Sequence, residues 1–479
     1  MSALMLGIRL LRSAAFLVLV TAAAARAEDG LAAPPAGTDP FRHVQALHDI
    51  ATRNGGNRAA GTPGYEQSAR YVEARLRDAG YRVRLEEFTF PYFEERSPPV
   101  LSLNPGGADA FVPPPEALRT LRNSGSADVT APVQAVEIGP GEEPVSVSTS
   151  GCEREDFADF TPGRIALLRR GTCPFQVKVE HAEAAGAAGV IIMNQGTEGQ
   201  TGAFTGRLAA LARIPVVGVP TETGRRLAAA GQIADVATVR LKVEAETGAR
   251  PTWNVLGERG DTGGPIIMVG AHLDSVPEGP GMNDNASGSA AILEAALRLA
   301  RDPEAGAPIR FAFWGAEERG LLGSRHHVEA LPEDERRRIG LYVNLDMVGS
   351  PNFARFVHAT PENRTGLVAG TLQALTSYFE ARNLPTEERS SNRRSSGSDD
   401  ASFSAKGIPT IGIFTGADGT KNAAQAERFG GSAGEPFDPC YHKACDTPSN
   451  VNPQVLGHIT DALSHVLREV SRGSLASEK

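Results

Sequence analysis

Four cysteines in 479 residues are too few for a disulfide-held scaffold, and no two of them have only two or three residues between them, which argues against a four-thiolate zinc site. Positive charge is short as well. The formal net charge is -9 and no polybasic run occurs, so neither nucleic acid nor an anionic membrane is an expected partner. Long apolar runs are missing after the opening segment, which leaves no later candidate for a membrane span. What is present is an ordinary globular composition, 41% hydrophobic and 22% charged, in a chain too long for one ordinary core. Two folded units are expected.

The opening segment has its own logic. Arg9 and Arg12 precede an apolar stretch, Phe16 to Ala25, and Ala25-Arg26-Ala27 stands just before Glu28-Asp29. A charged start, a short apolar run and a small-x-small end predict a signal peptide over residues 1–27, and hence a secreted or periplasmic protein. The run falls short of the roughly 20 residues that a membrane anchor needs. Export permits disulfides, and the cysteines fall as two sequence-local pairs, Cys152 with Cys173 and Cys440 with Cys445. Three pairings are formally possible; the local one is the expectation.

Periodicity then divides the chain. Residues 41–51 and 68–79 carry apolar positions at helical spacing, Gly80 stops the second helix, and Tyr81 to Leu85 alternates as a strand. A Pro-, Gly- and Ala-rich stretch follows from about 97. Beyond it lie a strand at Arg164 to Arg169, a helix at Gln176 to Ala185 and a strand at Gly189 to Asn194. From residue 253 strands and helices alternate, with short continuous apolar runs at Pro265 to Gly270, Ile309 to Trp314, Leu341 to Leu345 and Ile408 to Phe414. Such runs suit strands buried on both faces, so the reading is a three-layer α/β/α domain, 38–96 plus 250–475, interrupted by a β-rich α+β insert at 130–246.

Chemistry-bearing residues collect at the ends of those runs. His272 and Asp274 follow the first, Glu317 and Glu318 the second, and Asp346 the third. Ligands bind off the carboxyl ends of strands in open α/β sheets, so these groups are expected in one crevice. Zinc takes imidazole nitrogen and carboxylate oxygen. A pair of zinc ions also needs a carboxylate able to touch both, which Asp284 suits in the turn-rich loop Gly281 to Gly288. Asp274, two residues after His272, is expected to accept the second ring N–H of that histidine. Downstream, Cys440-Tyr441-His442-Lys443-Ala444-Cys445 offers a second histidine in a loop a disulfide would stiffen.

Two resemblances follow from these motifs. The Gly171-Thr172-Cys173-Pro174-Phe175 turn, its helix and Ala185-Gly186-Ala187-Ala188-Gly189-Val190-Ile191-Ile192 make the insert similar to a protease-associated domain. Residues 253–470, with Gly416 to Thr447 as the closest stretch, resemble the co-catalytic di-zinc aminopeptidases, secreted bacterial leucine-type and aminopeptidase Y-like enzymes among them. That resemblance implies that His272 and Asp346 bind one zinc, Glu318 and His442 the other, and Asp284 both. It implies Glu317 as general base, Tyr441 as a donor to the oxyanion, and Met347 and Phe414 as parts of a pocket for an apolar first residue. The implied substrates are peptides. Calcium is not derivable.

The resemblance leaves other readings in view: a carboxypeptidase, a dipeptidyl-peptidase or a glutaminyl cyclase of the same fold, and a non-enzymatic receptor-like ectodomain. Retention of all five ligand positions speaks against the last two. One departure concerns substrate preference. Some secreted relatives read Gly-Arg-Ser-Asp-His where this chain reads Ser396-Gly397-Ser398-Asp399-Asp400, without the arginine that helps hold substrate; Arg393 and Arg394 are the nearby candidates to replace it. Gly430 to Gly434 fits a nucleophile-elbow pattern only formally, since no buried strand leads into it. His326 and His327 are expected on a helix surface, and His43, His48, His181, His358 and His458 in structural roles.

Overall fold

Four short strands, Ile266–His272, Ile309–Trp314, Ile339–Leu345 and Thr410–Phe414, lie side by side and parallel, each buried along almost its whole length. The computed structural model describes residues 39–472 except 105–106, 108–109, 139–146, 233–236, 261–264, 307, 360–365 and 391–396; the expected signal segment lies outside them. Because successive strand side chains point to opposite faces, each strand feeds two cores. Ile267, Val269, Phe311, Phe313, Val343 and Ile411 join one, with the helices Pro63–Asp78, Gly288–Ala300 and Pro453–Ser471. Met268, Ala312, Trp314 and Tyr342 join the other, with Val328 and Phe403 of the helices Leu322–Ala330 and Asp400–Ser404. The expected three layers are therefore present.

Local sequence explains where the helices begin. Pro63 and Pro453 each occupy a first helical turn, and the side chains of Thr62 and Asn452 accept from backbone N–H groups that would otherwise lack partners. Gly270 serves a different need. A Cβ there would stand 2.3 Å from the Tyr342 hydroxyl and 2.7 Å from Trp314 Nε1, so only glycine lets that ring pair cross the strand two residues before His272.

The long strand Thr238–Arg259 extends this sheet, antiparallel to Ile309–Trp314, and its first residues pair with Ala127–Ala135 of the insert. From there Ile165–Arg169, Gly189–Met193 and Val216–Val219 continue as a parallel ladder, with the helices Phe175–Ala184 and Thr221–Gly231 on opposite faces. The expected strand at Tyr81 to Leu85 is far longer than its alternation suggests. It spans Arg82–Leu103 and pairs with Thr238–Arg259 along its length. Register slips between Glu95 and Val100 leave Pro98 and Pro99 without a partner across the ladder, so their missing N–H groups break nothing. The expected domain limits at 96, 246 and 250 thus fall within unbroken strands.

Candidate metal centre

Strand ends deliver the first donors. His272 is the last residue of its strand, Asp346 follows Leu345, and Glu317 and Glu318 follow the Trp314 strand by a short turn. Asp284 comes from the loop before the helix Gly288–Ala300, where Gly281 takes a positive φ of 65° and the Asp284–Asn285 peptide is cis. The two Asp284 oxygens face different histidines. Oδ1 lies 3.1 Å from His272 Nε2 and Oδ2 lies 3.1 Å from His442 Nε2. Asp346 Oδ1 stands 3.4 Å from the same His272 nitrogen, and Glu318 Oε2 stands 3.2 Å from that of His442.

Two donor sets result, His272–Asp284–Asp346 and Asp284–Glu318–His442, sharing one carboxylate. Their spacing fits zinc: donors 2.0–2.1 Å from a tetrahedral ion sit about 3.3 Å from one another. Their chemistry fits as well, since Glu318 Oε1 and Asp346 Oδ1 are buried without any hydrogen-bond partner. His272 Nδ1 lies 3.1 Å from the backbone oxygen of Asp274, which can only accept, so Nδ1 carries the proton and Nε2 presents its lone pair to the site. The Asp274 carboxylate, expected to be that acceptor, stands 3.7 Å from Nδ1; its two oxygens accept instead from the backbone N–H groups of Glu317 and Glu318 at 3.1 and 3.3 Å.

The crowding shifts proton affinities. Burial pushes the Glu317 carboxyl well above its ordinary value, and the neighbouring carboxylates of Glu318, Asp399 and Asp346 add to the rise. Burial and the Asp284 charge raise Glu318 to about 7. Burial favours neutral Asp284 too, yet the hydrogen bonds to His272 and His442 outweigh it and hold that carboxyl below its ordinary range. Against burial, the Asp284 and Glu318 carboxylates raise His442 to about 10. Tyr441 rises by burial and by the same carboxylates, so its hydroxyl keeps its proton; its ring stacks on His442 with centroids 3.8 Å apart.

Three supporting residues had no role in the sequence reading. Arg58 is wholly buried and donates to the carbonyls of Leu273, Pro280 (3.0 Å) and Gly281 (2.6 Å), bracing the loops that carry His272 and Asp284. Asp446 accepts from the backbone N–H groups of Asn283 (2.8 Å) and Asp284 (3.0 Å), which ties the disulfide loop to the shared carboxylate. Asp399 is fully buried behind Asp346, with its carboxyl raised to about 8 chiefly by burial. Asp446 stood in a motif already noted, whereas Arg58 offered only a lone arginine near a glycine-rich turn.

The remaining candidates separate. Met347 lines the crevice of about 270 Å³ above the donor sets, together with Leu321 and Tyr441. Phe414 does not line it, packing instead against Phe356 and His358. The surface expectation fails for His327, which is buried with Nδ1 3.0 Å from Glu86, while His326 stacks on Phe88. None of His43, His48, His181, His358 and His458 belongs to either donor set. Ser432 sits in an exposed loop after the short helix Ala423–Phe429. Arg393 and Arg394 lie outside the described residues. Both expected disulfides are formed, Cys152–Cys173 and Cys440–Cys445, and among the described residues no helix is long and apolar enough to cross a membrane.

An α/β sheet with two carboxylate–imidazole donor sets, gathered from its strand ends and the neighbouring loops, has the build of a centre for two metal ions. The chain belongs to peptidase family M28, whose model matches residues 254–467, and a PA domain matches residues 129–227. It is 42% identical to an aminopeptidase of Pseudomonas aeruginosa over 89% of this chain and 79% of that one. Among solved structures it is similar to an aminopeptidase from Aneurinibacillus sp. strain AM-1, at 27% identity, a TM-score of 0.66 and coverage of 91% and 93%. BSAP, a zinc aminopeptidase from Bacillus subtilis, follows at 25% identity, a TM-score of 0.60 and coverage of 92% and 96%. Family, relatives and donor sets agree on a zinc-dependent aminopeptidase.

Proposed function

We propose that this zinc aminopeptidase hydrolyses the first peptide bond of peptides, with apolar N-terminal residues preferred, using His272, Asp284 and Asp346 to hold one zinc and Asp284, Glu318 and His442 to hold the other. The observation that carries the reading is Asp284, whose two oxygens stand 3.1 Å from the ring nitrogens of two different histidines. A zinc pair supplies Lewis acidity toward the peptide carbonyl and lowers the pKa of water.

Glu317 belongs to neither donor set but reaches within 4.0 Å of His272 Nε2, and its raised proton affinity suits a group that takes a proton from water and hands it to the departing amine. Tyr441, held protonated, is the neutral donor for the oxyanion. Met347 and Leu321 in the crevice wall support an apolar first residue, with Phe414 acting only through packing. The exported location and the two-domain segmentation belong to the same reading.

Aminoacyl chromogenic amides, N-terminally blocked peptides and peptides with N-terminal glutamine separate the alternatives. Hydrolysis of the first alone is the expected result; cleavage of blocked peptides or cyclisation of glutamine would replace the reading. In Glu317→Gln about two zinc ions per chain should remain while turnover drops about 10²–10⁴-fold, and a wild-type rate would remove Glu317 from its role.

A further inference from the structure

The crevice has an electrical polarity. Its floor carries Asp284, Glu317, Glu318 and Asp346, and the guanidinium at its mouth belongs to Arg207, a residue of the insert. Arg207 Nη2 donates to the Glu318 carbonyl at 3.0 Å, and Nη1 rests on Gly320, where a Cβ would stand 2.7 Å away. A guanidinium has five N–H donors, so most of the fork is left for something else. Behind it, Arg122 joins the Arg207 backbone through a β-bridge, and Arg319 follows the donor Glu318 in sequence. Four charges bear on Arg207: those of Arg122 and Arg319 repel it, and those of Glu317 and Glu318 on the floor attract it. Among the described residues none of these three arginines forms an ion pair with a carboxylate.

Building on the aminopeptidase reading, we propose that Arg207, backed by Arg122 and Arg319, is a specificity-determining residue that binds a carboxylate on the leaving-group side of the scissile bond. A substrate entering amine first points its positive end at the acidic floor and its carboxyl side at the arginine rim. Each extended residue spans at most about 3.3–3.6 Å, so the carboxylate belongs to the C-terminus of a di- or tripeptide or to an acidic side chain next to the bond. The insert thereby contributes a recognition group to a site whose metal donors all come from elsewhere.

The test compares kcat/KM for Leu-Ala with its C-terminal amide, and for Leu-Asp-amide with Leu-Asn-amide, in the wild-type holoenzyme and in Arg207→Ala, zinc content being checked in both. Wild type should favour the carboxylate member of at least one pair. Loss of Arg207 should cut that ratio about tenfold or more, the scale of one charge-assisted hydrogen-bonded contact, and Arg207→Lys should restore part of it. The pair that responds identifies the source of the carboxylate. Ratios unchanged in Arg207→Ala, or in Arg207→Gln should the alanine variant lose zinc, would overturn the proposal. A wild type that cleaves neither Leu-Ala nor its amide would overturn the aminopeptidase reading itself, and this inference with it.

Discussion

The two halves of the metal centre are made of different material. His272 and Asp346 stand at the ends of neighbouring parallel strands, and the His272 side chain is 1% exposed. His442 stands in a loop at a positive φ of 57°, held by a disulfide and by Asp446, and its side chain is 40% exposed. One half inherits its rigidity from the sheet core; the other depends on local bracing. Asp284 belongs to both halves and Glu318 reaches the second from just beyond a strand, so the contrast lies in His272 and Asp346 against His442. The difference implies an order of strength, with the zinc beside His442 the first to leave.

The largest effect should come from removing the joint. Asp284→Ala takes a donor from each set, and both ions should be lost by elemental analysis, with turnover down at least about 10³-fold. Retention of one tightly bound zinc would mean that the halves are independent. Next come the two histidines. Wild type should release zinc to a chelator in two phases, His442→Ala should lack the fast phase, and His272→Ala should lack the slow one. A single phase in wild type would erase the asymmetry.

The strand-end half was legible in sequence because His272 and Asp346 sit within two residues of short apolar runs that suit buried strands. The fold class was legible for the same reason. The loop half needed a resemblance, since nothing in the spacing of Cys440, His442 and Cys445 says where the loop lands. Contacts across long separations were invisible: Arg58 meets Gly281 223 positions away, Arg207 meets Glu318 across 111, and the Glu86 partner that buries His327 is 241 away. The far end of the long strand Arg82–Leu103 was hidden by Pro98 and Pro99, whose tolerance depends on a register slip that only the paired strand defines.

Proton competition should sharpen the comparison at the loop half. With no zinc bound, His442 titrates at about 10 and Glu318 at about 7, both above their ordinary values. Each therefore stabilises the zinc-free fold fully below its unfolded pKa, near 6.5 and 4.5, and loses that contribution as pH rises through the folded value. Asp284 has the opposite sign and acts only on the acid side of this window. Thermal unfolding of stripped protein should accordingly weaken from pH 5 to 10. Zinc must expel the protons it replaces, so its apparent affinity should climb about tenfold per pH unit for each proton released. Parallel pH trends in stripped and loaded protein would contradict this exchange.

The smallest effect should come from the Cys440–Cys445 bond. It closes a short loop, worth about 2 kcal/mol in the chain-entropy model, and both its ends flank Tyr441 and His442. The paired change Cys440→Ser with Cys445→Ser should leave Asp446 bonded to the Asn283 and Asp284 amides, so the loop stays attached at its base while its tip gains freedom. Orientation of a ligand by surrounding structure is commonly worth about 10- to 100-fold in metal affinity, and the retained Asp446 contacts place the expected loss at the low end. Chelation kinetics separate the outcomes: a faster first phase with an unchanged second phase assigns the disulfide to the loop half alone, whereas acceleration of both would mean that the bond also steadies the strand-end donors through Asp284.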